Sequence, residues 1–204
     1  MRTRVKFCGL KRPEDIDIAN RLRPDYAGFV FWEKSRRSVT EDLAKDLKGR
    51  LDTAIKSVGV FVDPDPEYAA HLAYSGIIDI IQLHGSEDDA YIERLRSLTD
   101  APVIKAFEIK SAKDLERVDT CPSDYVLLDA GKGEGITFNW DMIASVKRPY
   151  FLAGGLSPDN AGDAIARLHP FALDVSSGIE KDGVKDEGRM RAFMEAVNGK
   201  DILI

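Results

Sequence analysis

Cysteine is scarce: the chain of 204 residues holds two, Cys8 and Cys121. Two distant thiols make neither a disulfide framework nor a cysteine metal cluster, and they suit a reducing cytoplasm. Histidine is nearly as rare, and His71, His84 and His169 are too dispersed to suggest zinc. Basic charge is not in excess. With a formal net charge of −6 there is no broad field to attract nucleic acid, so an anionic ligand needs a local site. No apolar run approaches the roughly 18 residues of a membrane span. Residues 1–6 carry no signal-peptide apolar core. Linkers, low-complexity stretches and composition breaks are also missing. The expectation is a single cytoplasmic domain over residues 1–204 that handles a small molecule, without nucleic-acid or membrane partners.

What is present is rhythm. Strand-like runs rich in Val, Ile, Phe and Tyr lie at 5–8, 26–31, 57–62, 78–83, 103–107, 125–128, 150–153 and 172–175. Several are nearly continuous in apolar residues, as strands covered on both faces are. Helical patterns alternate with them at 13–23, 40–47, 66–74, 88–98, 111–118, 140–146, 159–168 and 186–197. Eight strands alternating with eight helices predict an α/β fold, a closed (β/α)8 barrel. An open doubly wound sheet is the weaker alternative, because Cys8-Gly9-Leu10-Lys11 follows the first strand where a G-x-G-x-x-G would be expected.

In such a barrel the active site lies at the carboxyl ends of the strands. After strand seven comes Ala153-Gly154-Gly155-Leu156, and after strand eight Ser176-Ser177-Gly178. One small-residue loop is usually just a turn. Two, at the two strands that commonly cradle phosphate, point to a phosphorylated ligand held by backbone N–H groups. On strand one, alternation sends Val5 and Phe7 towards the helices and Lys6 and Cys8 inward. A buried lysine needs an anion, and Asp174 on neighbouring strand eight is the expected partner. Cys8 by itself reads first as a small buried hydrophobe, a reading weakened by its place at the end of strand one, just before Gly9. Asp129 ends strand six facing the centre, either as a working acid or as a cap for its loop. The glycine-rich stretch 131–135 is a candidate lid or a plain connector. Arg36 and Arg37, after strand two, suit a carboxylate or phosphate or simply a solvated loop. His84, at the end of strand four, is a candidate base, ligand donor or structural histidine.

Taken together, several motifs carry a resemblance. They are Lys6-Phe7-Cys8-Gly9-Leu10, Gly28-Phe29-Val30-Phe31, Val58-Gly59-Val60-Phe61-Val62, Gln82-Leu83-His84-Gly85, Leu127-Leu128-Asp129, Ala153 to Leu156, Asp174 to Gly178, and Gly183-Val184-Lys185-Asp186. In this order and at these strands they resemble the phosphoribosylanthranilate isomerases of tryptophan biosynthesis along the whole chain. The resemblance implies a cofactor-free and metal-free Amadori rearrangement of N-(5-phosphoribosyl)anthranilate by a monomer or homodimer. It gives Asp129 the role of general acid on the furanose oxygen and Cys8 that of the base at sugar C2. It also places Arg37 at the anthranilate carboxylate, and His84, Gly154, Gly155, Ser176, Ser177 and Gly178 among the substrate contacts. Asp129 must then start protonated, and Cys8 must have access to its thiolate. Two loops depart from the family pattern, at Glu33 and Arg36 where proline is common, and at Lys132 and Glu134 after Asp129. Rivals fit less well. The histidine-pathway isomerase resembles a barrel with aspartate in place of Cys8. Indole-glycerol-phosphate synthase would pair a lysine such as Lys105 with a glutamate at strand one. A silent phosphosugar-binding barrel would not need both Cys8 and Asp129.

Overall fold

Alternation along the strands sorts the side chains into two cores. The computed structural model describes residues 2–131, 143 and 145–199. Its strands are β1 (Arg4–Cys8), β2 (Tyr26–Val30), β3 (Lys56–Phe61), β4 (Ile80–Leu83), β5 (Val103–Glu108), β6 (Tyr125–Asp129), β7 (Tyr150–Ala153) and β8 (Ala172–Val175). All pair in parallel, and β8 returns to β1 to close the barrel. Val5, Phe7, Phe29, Ile81 and Leu128 point outward and pack with helix residues such as Ile16, Leu72 and Phe193. Val58, Ile80, Ile104, Leu127 and Phe151 fill the barrel itself. Its amino-terminal end is plugged by aromatic rings. Tyr125 stacks on Phe171 at 5.3 Å, and the Arg4 guanidinium lies 4.3 Å above the Phe171 ring.

The helices start where local chemistry starts them. α1 (Pro13–Leu22) has proline in its first turn, where no N–H is needed. α2 (Glu41–Arg50) is capped by Thr40, which accepts from the Leu43 N–H at 3.3 Å. α3 (Pro66–Tyr74), α4 (Asp89–Arg96) and α6 (Glu187–Asn198) are capped in the same way by Asp65, Asp88 and Asp186. α5 (Ala161–Leu168) follows β7. The helix expected at 111–118 is instead a 3₁₀ turn, Ala112–Leu115. Leu115 is only partly buried and Val118 fully so, too little apolar surface to hold a longer helix against the barrel. The helix expected at 140–146 lies mostly outside the described residues. A hairpin not foreseen, β9 (Glu180–Lys181) and β10 (Val184–Lys185), follows a 3₁₀ turn at Ser177–Ile179. Among the described residues no helix is long and apolar enough to cross a membrane.

Lys6 is the largest side chain buried without exposure, and it faces the barrel interior. Its Nζ donates to Asp174 Oδ2 at 2.9 Å and to Gln82 Oε1 at 2.8 Å, so β1, β4 and β8 meet at one ammonium. The register that pairs Lys6 with Asp174 is the sheet's own. Removing one partner strands the other charge out of water, at a cost of about 3–5 kcal/mol. Denaturant unfolding of Lys6→Met is therefore expected to lose stability on that scale. Lys6→Met combined with Asp174→Leu is expected to recover most of it, and a fully additive double loss would contradict the pairing.

Candidate active site

A cavity of about 700 Å³ opens at the carboxyl ends of the strands. Cys8, Arg37, His84 and Asp129 line it, as do Gly154, Gly155, Ser176 and Ser177. Gly178 does not; a Cβ there would collide with the Leu156 carbonyl, so this glycine sets loop packing behind the cavity wall. The sequence thus placed eight of these nine residues on one concave surface, drawn from six strand ends.

Cys8 ends β1 opposite Gly28 of β2. A Cβ at Gly28 would sit 3.1 Å from Cys8 Sγ and 3.3 Å from Lys6 Cε, so the missing side chain is what admits both groups. Burial pushes the Cys8 thiol above its ordinary range. Lys6 opposes this, Asp174 adds to it, and Lys185 opposes it less. Lys6 itself is pulled down by burial but held above its usual value by Asp174 and Cys8.

Asp129 ends β6. Its Oδ1 accepts from the Gly131 N–H at 2.9 Å, and its Oδ2 lies 3.4 Å from His84 Nε2. Gly154 approaches from β7 with φ at +92°, and a Cβ there would press on Oδ1 at 2.7 Å. Burial would raise this carboxyl, but contact with His84 and the Gly131 N–H outweigh it and hold Asp129 below its ordinary range. Burial thus favours the neutral thiol at Cys8, while the two donors favour the carboxylate at Asp129.

His84 is held by a clamp beneath it. The Glu87 carboxylate accepts from the Gly85 N–H at 2.9 Å and the Asp63 N–H at 2.8 Å. Lys105 donates to that carboxylate and to the Gly85 carbonyl, each at 2.7 Å. Lys105, the lysine a synthase mechanism would need, is thereby engaged in positioning a loop. The His84 ring meets Gln82, whose Nε2 is 3.1 Å from Nδ1.

Of the paired arginines, Arg37 lines the cavity, while the Arg36 side chain is 59% exposed. Arg37 Nε and Nη2 donate to the two oxygens of Glu180 at 2.6 and 2.9 Å, and among the described residues Nη1 has no hydrogen-bond partner. Burial opposes ionisation of Glu180, but Arg37 and Lys185 pull its carboxyl down to about 2. Lys185 also donates to the Ser176 carbonyl at 2.9 Å, tying this cluster to the loop after β8. Sequence reasoning missed Glu180 and Glu87, and it met Lys185 only inside the motif Gly183-Val184-Lys185-Asp186, with no role attached. The local signal of the two glutamates was charge in a loop, and partners such as Arg37 and Asp63 lie far off in the chain. The candidate lid at 131–135 lies, beyond Gly131, outside the described residues. Asp174 Oδ1 has no hydrogen-bond partner among the described residues. Nor is any group of three or more His, Cys, Asp or Glu among them arranged to hold a metal ion.

The chain matches the protein family described as N-(5'phosphoribosyl)anthranilate (PRA) isomerase over residues 5–196. It is 42% identical to the N-(5'-phosphoribosyl)anthranilate isomerase of Thermoanaerobacter sp. (strain X514), covering 96% of this chain and 98% of that one. With the enzyme of the same name from Clostridium acetobutylicum it shares 40% identity, over 95% and 97% of the two chains. The crystal structure of phosphoribosyl anthranilate isomerase from Thermotoga maritima superposes with a TM-score of 0.89 at 33% identity, covering 97% and 99%. A second structure of such an isomerase, in complex with reduced 1-(o-carboxyphenylamino)-1-deoxyribulose 5-phosphate, superposes at 0.87 with the same identity and coverage. The fold, the strand-end cavity and these matches agree: the chain belongs to the phosphoribosylanthranilate isomerase family, isomerases of tryptophan biosynthesis.

Proposed function

We propose that this chain, as one catalytic domain over residues 1–204, rearranges N-(5-phosphoribosyl)anthranilate to 1-(2-carboxyphenylamino)-1-deoxyribulose 5-phosphate, with Asp129 as general acid and Cys8 as general base. The observation that carries the assignment is that both side chains line one cavity walled by the loops after β7 and β8. The reaction needs no cofactor. It works in the cytoplasm, where Cys8 stays a free thiol, as a monomer or homodimer.

The phosphate sits against Gly154, Gly155, Ser176 and Ser177, where backbone N–H groups and the Ser177 hydroxyl supply donors, the Ser176 hydroxyl being given to the Cys8 carbonyl. Gly178 supports that loop from behind. Arg37, oriented by Glu180, turns its free Nη1 to the anthranilate carboxylate. Asp129 gives its proton to the furanose oxygen as the C1–O bond breaks, and nitrogen lone-pair donation forms the iminium. Cys8 thiolate then removes the C2 proton, and the electron pair of that C–H bond neutralises the iminium to an enolamine. Loss of the C2 hydroxyl proton and protonation at C1 yield the ketone, so no atoms are gained or lost overall. Asp174 Oδ1 is available to accept from a sugar hydroxyl.

Substrate charge reverses the resting protonation states. Exclusion of water and a nearby phosphate both raise Asp129. The cationic iminium lowers Cys8 by the same rule. In the free enzyme the thiolate fraction rises with pH while the protonated Asp129 fraction falls. Their product is level between the lowered value of Asp129 and the raised value of Cys8.

With phosphoribosylanthranilate generated in situ, purified protein is expected to quench the anthranilate-type fluorescence catalytically; turnover no faster than background sinks the assignment. Cys8→Ser and Asp129→Asn are each expected to lower kcat by about 10²–10⁴-fold, the scale of an acid or base, with circular dichroism and Tm little changed. Near-normal turnover in either reassigns that role. Glu180→Gln is expected to raise KM about tenfold, the scale of one charge-assisted hydrogen bond, with a smaller change in kcat. A pure kcat defect would contradict its placement behind Arg37.

A further inference from the structure

We propose that Gln82 is a positioning residue that fixes the tautomer of His84, so that His84 presents an N–H, and never a lone pair, to Asp129. The argument begins at Lys6. An ammonium can only donate, so the Gln82 atom 2.8 Å from Lys6 Nζ must be the amide oxygen. The amide nitrogen is then the end that meets His84 Nδ1 at 3.1 Å. An amide NH2 also only donates, so Nδ1 must accept, and the ring proton sits on Nε2. Nε2 is the atom that faces Asp129 Oδ2, at 3.4 Å.

Donation therefore runs one way through four side chains, from Lys6 on β1 to Gln82 on β4, to His84 and to Asp129 on β6. The order is hard to reverse. Gln82 is 1% exposed, and flipping its amide would set the NH2 against the ammonium. Asp174 holds Lys6 from the far side at 2.9 Å, and the Glu87 clamp holds the backbone at Gly85. Placing a proton on Nδ1 would set it against the NH2 of the buried Gln82 amide, two donors face to face.

The consequence is chemical. With its proton on Nε2, His84 is not a base towards Asp129 and cannot take or store the acid's proton. The proton that Asp129 delivers enters from the cavity side, with the substrate. This deepens the proposed mechanism and rests on Asp129 as its acid. The tautomer itself is readable without turnover, so the two ideas can fail separately.

Protein labelled with 15N at histidine, studied by long-range 1H–15N correlation at mildly alkaline pH, reports the tautomer directly; His84→Ala assigns the signal. The expected pattern is a proton on Nε2 alone. A proton on Nδ1, alone or together with Nε2, overturns the proposal. Gln82→Glu keeps the size and the acceptor for Lys6 but offers an oxygen to Nδ1. It is expected to move a proton onto Nδ1 and to lower kcat about tenfold or more, with KM changed by less, as loss of a supporting partner does. In a His84→Ala background the same change is expected to alter kcat by less than about twofold, because the two residues act as one unit. An equal loss with and without His84, or a moved proton with unchanged kcat, contradicts the positioning role. If Gln82→Glu does not fold, the wild-type spectrum still decides the tautomer.

Discussion

One buried ammonium organises this barrel. Lys6 has no exposure, and it would be untenable among Val58, Ile80 and Phe151 without Asp174 and Gln82 to accept from it. Those two partners reach it from β8 and β4, so the ion pair fixes how the closing strands meet. It also divides the interior. Below it lies an aromatic plug, and above it the barrel opens into a polar cavity. Both halves of the proposed chemistry depend on the same charge. Cys8 stands one inward position above Lys6 on β1, and Asp129 is reached through Gln82 and His84.

The directions in which Cys8 and Asp129 are shifted oppose those the proposed mechanism uses, and the cause is geometric. Cys8 is buried, which favours the neutral thiol even with Lys6 beside it. Asp129 is contacted by two donors, which favours the carboxylate even though it is largely buried. Under the proposed mechanism neither group is armed until the substrate changes the field. That would have a protective logic, since a standing thiolate is open to oxidation.

Much of this was legible in the sequence because it follows from short-range rules. Period-two alternation turned Lys6 and Cys8 inward, and the neighbouring strand supplied Asp174 as the only sensible counter-ion. The small-residue loops after β7 and β8 marked the cavity wall. What escaped has a common character. Glu180 acts on Arg37 and Glu87 on Asp63 and Lys105, all distant in the chain, and a lone charge in a loop does not name its partner. The hairpin carrying Glu180 is two residues per strand, too short to leave a pattern. The pKa directions escaped for another reason: they depend on which donors happen to face Asp129, and His84 meets it only once β4 and β6 are folded into one barrel. The 3₁₀ turn at Ala112–Leu115 escaped because apolar residues three apart also share one face of an α-helix.

The central claim is that the free enzyme holds Cys8 as a thiol despite the ammonium beside it. Alkylation of Cys8 by iodoacetamide, followed by mass spectrometry across a pH series, tests this most directly, since only the thiolate reacts. The account predicts a midpoint above the ordinary thiol range, in line with burial outweighing Lys6. A midpoint at or below that range would show Lys6 prevailing over burial and would contradict the account.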